Sequence, residues 1–126
     1  MKRLSALRLK VKDPTSLVGF YTDMMGMQAI AQEDGWRLGY PGVDADLVLL
    51  SGGADYVHAR EDRYWKIGIC LPDLDLACAQ LRARCVAVSA PRQFRDIGYM
   101  AHLTDPCGFV IEMLQHDFEG QGPRGD

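Results

Sequence analysis

The chain carries one pattern twice. Leu7-Arg8-Leu9-Lys10-Val11-Lys12-Asp13 alternates apolar and polar residues, as a strand with one face on a core does. Asp13 suits a helix N-cap, where its carboxylate accepts free first-turn amide hydrogens, and Pro14 suits the first helical position because it has no amide hydrogen to leave unpaired. Leu17, Phe20, Tyr21 and Met24 follow at helical spacing, and Gly26 supplies the left-handed residue that commonly closes a helix. A helix over about Pro14 to Met25 is predicted. Lys66 to Leu71 then reads as a second strand and Asp73 as a second N-cap, with Leu74, Ala77, Cys78, Leu81 and Cys85 as a second apolar stripe. The two caps stand 60 residues apart, the mark of a duplicated unit.

Short strand candidates follow each helix: Gln28 to Gln32, Trp36 to Tyr40 and Asp46 to Leu50, then Ala87 to Ser89, Tyr99 to Thr104 and Phe109 to Leu114. Each half is therefore β-α-β-β-β, and the fold class is α+β. The expected organisation is one domain over residues 1–115, with modules at about 4–52 and 64–115. A Gly-rich, charged linker covers Ser51 to Arg63, and the tail 116–126 is expected to be flexible. A length of 126 residues fits one domain with a real core and leaves no room for a separate catalytic one.

The formal net charge of -3 comes from interspersed acids and bases, so nothing tracks a phosphate backbone and nucleic acid is not an expected partner. No stretch approaches the roughly 20 apolar residues of a membrane span, and the start lacks the apolar run of a signal peptide. A cytoplasmic location with no membrane partner is the expectation. Cys70, Cys78, Cys85 and Cys107 show no CxxC spacing, which favours reduced thiols acting as small apolar side chains over disulfides or a zinc site.

Local motifs extend the pattern: Val11-Lys12-Asp13-Pro14 with Ser16-Leu17 and Phe20-Tyr21, Met25-Gly26-Met27, Ile67-Gly68-Ile69 with Pro72-Asp73, and the turn Thr104-Asp105-Pro106-Cys107-Gly108 feeding Phe109-Val110-Ile111-Glu112. In order and spacing these resemble the vicinal oxygen chelate superfamily, the glyoxalase, bleomycin-resistance and extradiol dioxygenase fold, with local motifs most similar to glyoxalase I. The resemblance spans the chain to about Gln115. It implies two βαβββ modules curled into cups that enclose a ligand cavity. In short bacterial members it implies a homodimer whose cavities each combine the first module of one chain with the second of its partner. Metal-dependent members place one ligand on the first and one on the last strand of each module, and the matching positions here are Ala6, Val48, Lys66 and Glu112. Of these, Glu112 alone matches. A slip of two residues would bring Asp46 onto the face of Val48 and still give two acidic ligands. A methyl, an isopropyl and an ammonium group donate no lone pair to a cation, so neither a metal nor another cofactor is expected.

Strand parity from those positions puts Ala6, Arg8 and Lys10, then Lys66, Gly68 and Cys70, then Met100 and His102, then Val110, Glu112 and Leu114 on the ligand face. The expected pocket residues are Lys66, Glu112, His102, Met100, Lys10, Arg8 and Gly68. Arg8 and Lys10 also fit a plain solvated face, although Lys10 resembles a basic residue that glyoxalase I enzymes use to hold a substrate carboxylate. His102 can be a hydrogen-bonded structural histidine or, with Glu112, a candidate catalytic group, since imidazole moves protons near neutral pH. His58 and His116 read as surface residues. Trp36, Tyr40, Tyr64 and Trp65 read as core or interface aromatics.

Three functions follow from this reading. The first is a protein that binds a small, possibly anionic molecule. The second is a metal-independent enzyme in which Glu112 or His102 moves a proton, with glyoxalase-like lyase or isomerase chemistry in place of dioxygenase chemistry. The third is a lactoylglutathione lyase-like metalloenzyme with atypical ligands such as His102. A Lys66–Glu112 ion pair is the sharpest geometric expectation, with the ammonium standing roughly where the cation would.

Overall fold

The computed structural model describes residues 2, 4–43, 45–53, 66–94 and 98–115. These fall into two compact units, the first repeat together with the turn Asp105–Gly108, and the rest of the second repeat. The linker beyond residue 53, the tail 116–126, His58, Tyr64, Trp65 and His116 lie outside the described residues.

The first unit runs β1 (Ala6–Lys10), α1 (Pro14–Gly19), a π-helical turn (Phe20–Met24), β2 (Gln28–Gln32), β3 (Gly35–Gly39) and β4 (Asp46–Leu50). Its sheet has the order β1-β4-β3-β2, with β1 parallel to β4 and the other pairs antiparallel. The second unit repeats this with β5 (Ile67–Leu71), α2 (Leu74–Ala83), β6 (Arg92–Phe94), β7 (Gly98–Thr104) and β8 (Val110–Gln115) in the order β5-β8-β7-β6. A parallel pair between first and last strands needs a crossover, which each helix provides. The four-stranded sheets are the two βαβββ modules expected of the sequence.

Both N-caps form as their residue types dictate. Asp13 Oδ1 accepts the Ser16 amide at 3.4 Å, and Asp73 Oδ1 accepts the Leu76 amide at 3.0 Å. Alternation then divides each sheet into a core face and an open face. Leu9, Leu38, Leu47 and Leu49 are buried with Leu17 and Tyr21 in the first unit, while Ile67, Ile69, Ala101, Leu103, Ile111 and Met113 are buried with Leu74, Cys78 and Leu81 in the second. Side chains of this size each contribute on the order of 1.5–3 kcal/mol when fully buried.

The helix ends differ between the repeats. In the second, the Val86 amide bonds the Leu81 carbonyl and the Cys85 amide bonds the Arg82 carbonyl, both at 2.9 Å, with Cys85 in the left-handed region at φ 63. This is a Schellman cap with cysteine where glycine is usual. Cys85 is therefore exposed beyond the helix, which corrects its expected place in the apolar stripe. In the first repeat the left-handed residue is Gly26 at φ 71, and the closing bond runs one residue further, from the Met27 amide to the Tyr21 carbonyl at 3.0 Å. Gly26 and Cys85 are 59 residues apart where the caps are 60 apart, so the first helix holds one more residue. The π-helical turn absorbs it, and the single α-helix expected over Pro14 to Met25 is corrected to six α-helical residues followed by five of wider turn.

A strand expected over Ala87 to Ser89 does not form. The ladder with β7 starts at Arg92, immediately after Pro91, which has no amide hydrogen to give it. Ser89 meets His102 by other means: its amide bonds the His102 carbonyl at 2.9 Å and its hydroxyl accepts the His102 amide at 2.8 Å.

Candidate charge-paired site on the second sheet

Register brings the candidate residues of the second repeat to one place. Glu112 on β8 lies opposite Gly68 on β5 and opposite His102 on β7, so all three share the open face. Met100 and Leu114 form the next pair along that face, and Lys66 enters it just ahead of β5. Gly68 has open space where a Cβ would stand, leaving the floor beside Glu112 clear. Met100 and Val110 are buried, and Cys70 is exposed.

Lys66 Nζ stands 3.7 Å from Glu112 Oε2 and 3.3 Å from His102 Nε2, and the same Oε2 is 3.6 Å from His102 Nε2. The three side chains are 24%, 24% and 28% exposed, enough burial to strengthen the pairing. Nε2 of His102 thus faces a donor in Lys66 and an acceptor in Glu112, and the ring tautomer decides which of the two it bonds. At 3.7 Å the Lys66–Glu112 contact is an ion pair longer than a hydrogen bond. The expected pair is present, and His102 joins it.

Arg8 and Lys10 are exposed on β1 of the first sheet, opposite Val48 and Leu50. Asp46 shares their face, two residues from Val48, and its Oδ2 accepts the Arg37 Nε proton at 2.6 Å. Arg37 was not singled out by the sequence reading. The available signal was its parity on β3, and its partner becomes visible once the β3–β4 register is known. Trp36 and Tyr40 are half-buried as expected, and the Tyr40 hydroxyl donates to the Met25 carbonyl at 2.6 Å. Burial raises the Tyr40 pKa above its ordinary value. All four cysteines are free thiols. Cys78 is the buried one, and burial raises its pKa, whereas the exposure of Cys70 and Cys85 corrects the reading of those two as apolar packing.

Among the described residues no three His, Cys, Asp or Glu side chains gather so as to hold a metal ion, and no helix is long and apolar enough to cross a membrane. Two four-stranded βαβββ sheets define the class. The sequence profile of the Glyoxalase/Bleomycin resistance protein/Dioxygenase superfamily matches residues 3–113, and the chain belongs to that superfamily. Its structure is similar to TnmS3, an antibiotic-binding protein from Streptomyces sp. CB03234, at 25% identity and TM-score 0.74 over 91% of this chain and 96% of the other. It is also similar to the trypanothione-dependent glyoxalase I of Leishmania major, at 26% identity and TM-score 0.68 over 91% and 87% of the two chains. A further likeness, at 25% identity and TM-score 0.68, is to a glyoxalase/bleomycin resistance protein of the same Streptomyces strain, over 90% of this chain and all of that one. Comparison with curated proteins returns no match.

Proposed function

We propose that this protein binds a small organic molecule through a carboxylate or carbonyl oxygen at the Lys66–His102–Glu112 cluster, and that its family metal site is degenerate. The observation that carries the reading is the Lys66 ammonium, held beside both Glu112 and His102. A divalent ion needs about three or four lone-pair ligands. The donor set does not fit one, because the ammonium repels a cation and the positions matching the family pattern in the first repeat, Ala6 and Val48, are aliphatic. The same ammonium suits a guest oxygen, since it can donate a hydrogen bond to that oxygen while paired with Glu112. Similarity to an antibiotic-binding protein supports a binding role. The protein is proposed to act as a homodimer.

A thermal-shift screen tests this, because a molecule that binds the native state alone raises the melting temperature with its concentration. Small aromatic and aliphatic carboxylates are expected to stabilise the protein more than their amides, with or without EDTA. Zinc, nickel or manganese stabilisation that EDTA abolishes and Glu112→Gln removes would refute the reading.

A second reading is proton transfer without metal, favoured by the 3.6 Å approach of His102 Nε2 to Glu112 Oε2. An assay for S-lactoylglutathione formation in EDTA is expected to show no turnover. Turnover lost in Glu112→Gln would establish this second reading instead.

A further inference from the structure

We propose that Ser89 is a positioning residue for the Lys66–His102–Glu112 cluster: its amide and hydroxyl close a β-bulge at the edge of the second sheet, and the bulge holds His102 so that its imidazole stays between Lys66 and Glu112. This rests on the reading of that cluster as a binding site and adds to it the residue that sets its geometry.

The β6–β7 ladder pairs Phe94 with Gly98, Gln93 with Tyr99 and Arg92 with Met100, and an unbroken continuation would set Ala90 opposite His102. Ser89 meets His102 instead, giving its amide to the His102 carbonyl at 2.9 Å and accepting the His102 amide on its hydroxyl at 2.8 Å. Ala90 and Pro91 thus oppose Ala101 alone, the two-against-one count of a β-bulge. Pro91 suits such a place, because it has no amide hydrogen to bring to a ladder. In a regular antiparallel pair the His102 amide would bond the backbone carbonyl of its partner. The Ser89 carbonyl is engaged elsewhere: Arg82, in the last turn of α2, donates from Nη2 to it at 3.1 Å and to the Val88 carbonyl at 3.5 Å. The hydroxyl takes its place.

The amide and carbonyl of one strand residue point the same way, so those of His102 both face Ser89, and the His102–Glu112 pair on the other side of β7 is of the non-hydrogen-bonded kind. That kind brings facing residues closest, with Cα atoms about 4.5 Å apart against about 5.5 Å. His102 Nε2 accordingly lies 3.6 Å from Glu112 Oε2 and 3.3 Å from Lys66 Nζ. β6 is the edge strand of its sheet and its ladder stops at Arg92, so among the described residues Ser89 is the contact that ties His102 to that edge. Water can satisfy the His102 amide in place of a lost hydroxyl, but a water molecule is not attached to Arg82 and holds nothing in register.

The test is nuclear magnetic resonance of the full ¹⁵N-labelled chain, whose three histidines make the His102 ring signals assignable through His102→Gln. Ser89→Ala is expected to speed hydrogen exchange of the His102 amide by about tenfold or more, because that edge then opens more readily. Lys66→Met should move the His102 Nε2 signal in the native background and move it far less once Ser89 is replaced by alanine, because the ring no longer keeps its place beside the ammonium. Sodium benzoate, as a small carboxylate, should bind Ser89→Ala about fivefold more weakly than the native chain, with no further loss when Ser89→Ala is added to His102→Ala. Ser89→Thr keeps the hydroxyl and should return all three readouts to within about twofold of native. A merely structural serine would lower the melting temperature on replacement and leave the Nε2 response to Lys66→Met intact, and that result would overturn the proposal. So would native exchange of the His102 amide in Ser89→Ala, or an undiminished loss of benzoate binding in the His102→Ala background. A native chain that binds no benzoate would refute the binding reading of the cluster, while the exchange and ring signals would still decide the role of Ser89.

Discussion

The Tyr21 hydroxyl donates to Asp105 Oδ2 at 2.5 Å, joining residues 84 apart in sequence, and both are buried. Asp105 Oδ1 also accepts the Cys107 amide at 2.8 Å, so the carboxylate shapes its own turn while fixing that turn to the π-helical segment. Burial first, and then the Asp105 charge and hydrogen bond, raise the Tyr21 pKa far above its ordinary value.

Tyr21→Phe is expected to destabilise the protein by about 1–3 kcal/mol, because a buried carboxylate loses a donor and keeps its desolvation cost. The sign of the pH effect follows from the direction of the shift. A pKa raised in the folded state gives stability that is complete below the unfolded tyrosine value near pH 10 and is lost as pH climbs above it. Urea midpoints measured from neutral pH to above pH 10 should therefore fall more steeply for the native chain than for Tyr21→Phe. Equal slopes would contradict the assignment.

Cys85 occupies a left-handed position at φ 63 that costs an L-residue about 1 kcal/mol. Cys85→Gly should relieve part of that strain and raise stability by about 0.5–1 kcal/mol by urea denaturation. A variant no more stable than the native chain would show that the thiol makes a contact worth the strain.

A homodimer is expected from the family resemblance and from Leu4, Leu7, Ile30 and Val43, large exposed apolar residues of the first repeat. Light scattering should return twice the 14.0 kDa chain mass at micromolar concentrations. A monomer throughout that range would contradict the expectation.

The parts of this fold that were legible in sequence are those set by short-range rules. Asp13 and Asp73 announce helix starts because a carboxylate at that spacing answers free amides, and period-two alternation, counted from the positions that the family resemblance supplies, put Lys66, Gly68, Met100, His102 and Glu112 on one face. What escaped depends on register or on distant partners. Tyr21 gives no local sign of Asp105, and Arg37 gives none of Asp46 until the hairpin fixes which residues face each other. The extra helical residue was hidden because the second repeat ends its helix on a cysteine, which does not advertise a left-handed turn as Gly26 does. Ser89 escaped because its hydroxyl supplies a bond that a strand would take from its backbone.

The Lys66 ammonium and the Glu112 carboxylate are proposed to work as one charge-paired floor, and a double-mutant cycle on folding stability is the decisive test. Lys66→Met alone is expected to cost about 1–3 kcal/mol, because it leaves a half-buried carboxylate uncompensated, and Lys66→Met with Glu112→Gln should cost less than the sum of the two single changes. A coupling energy near zero would show that the two groups stand 3.7 Å apart without acting on each other, and would contradict the account.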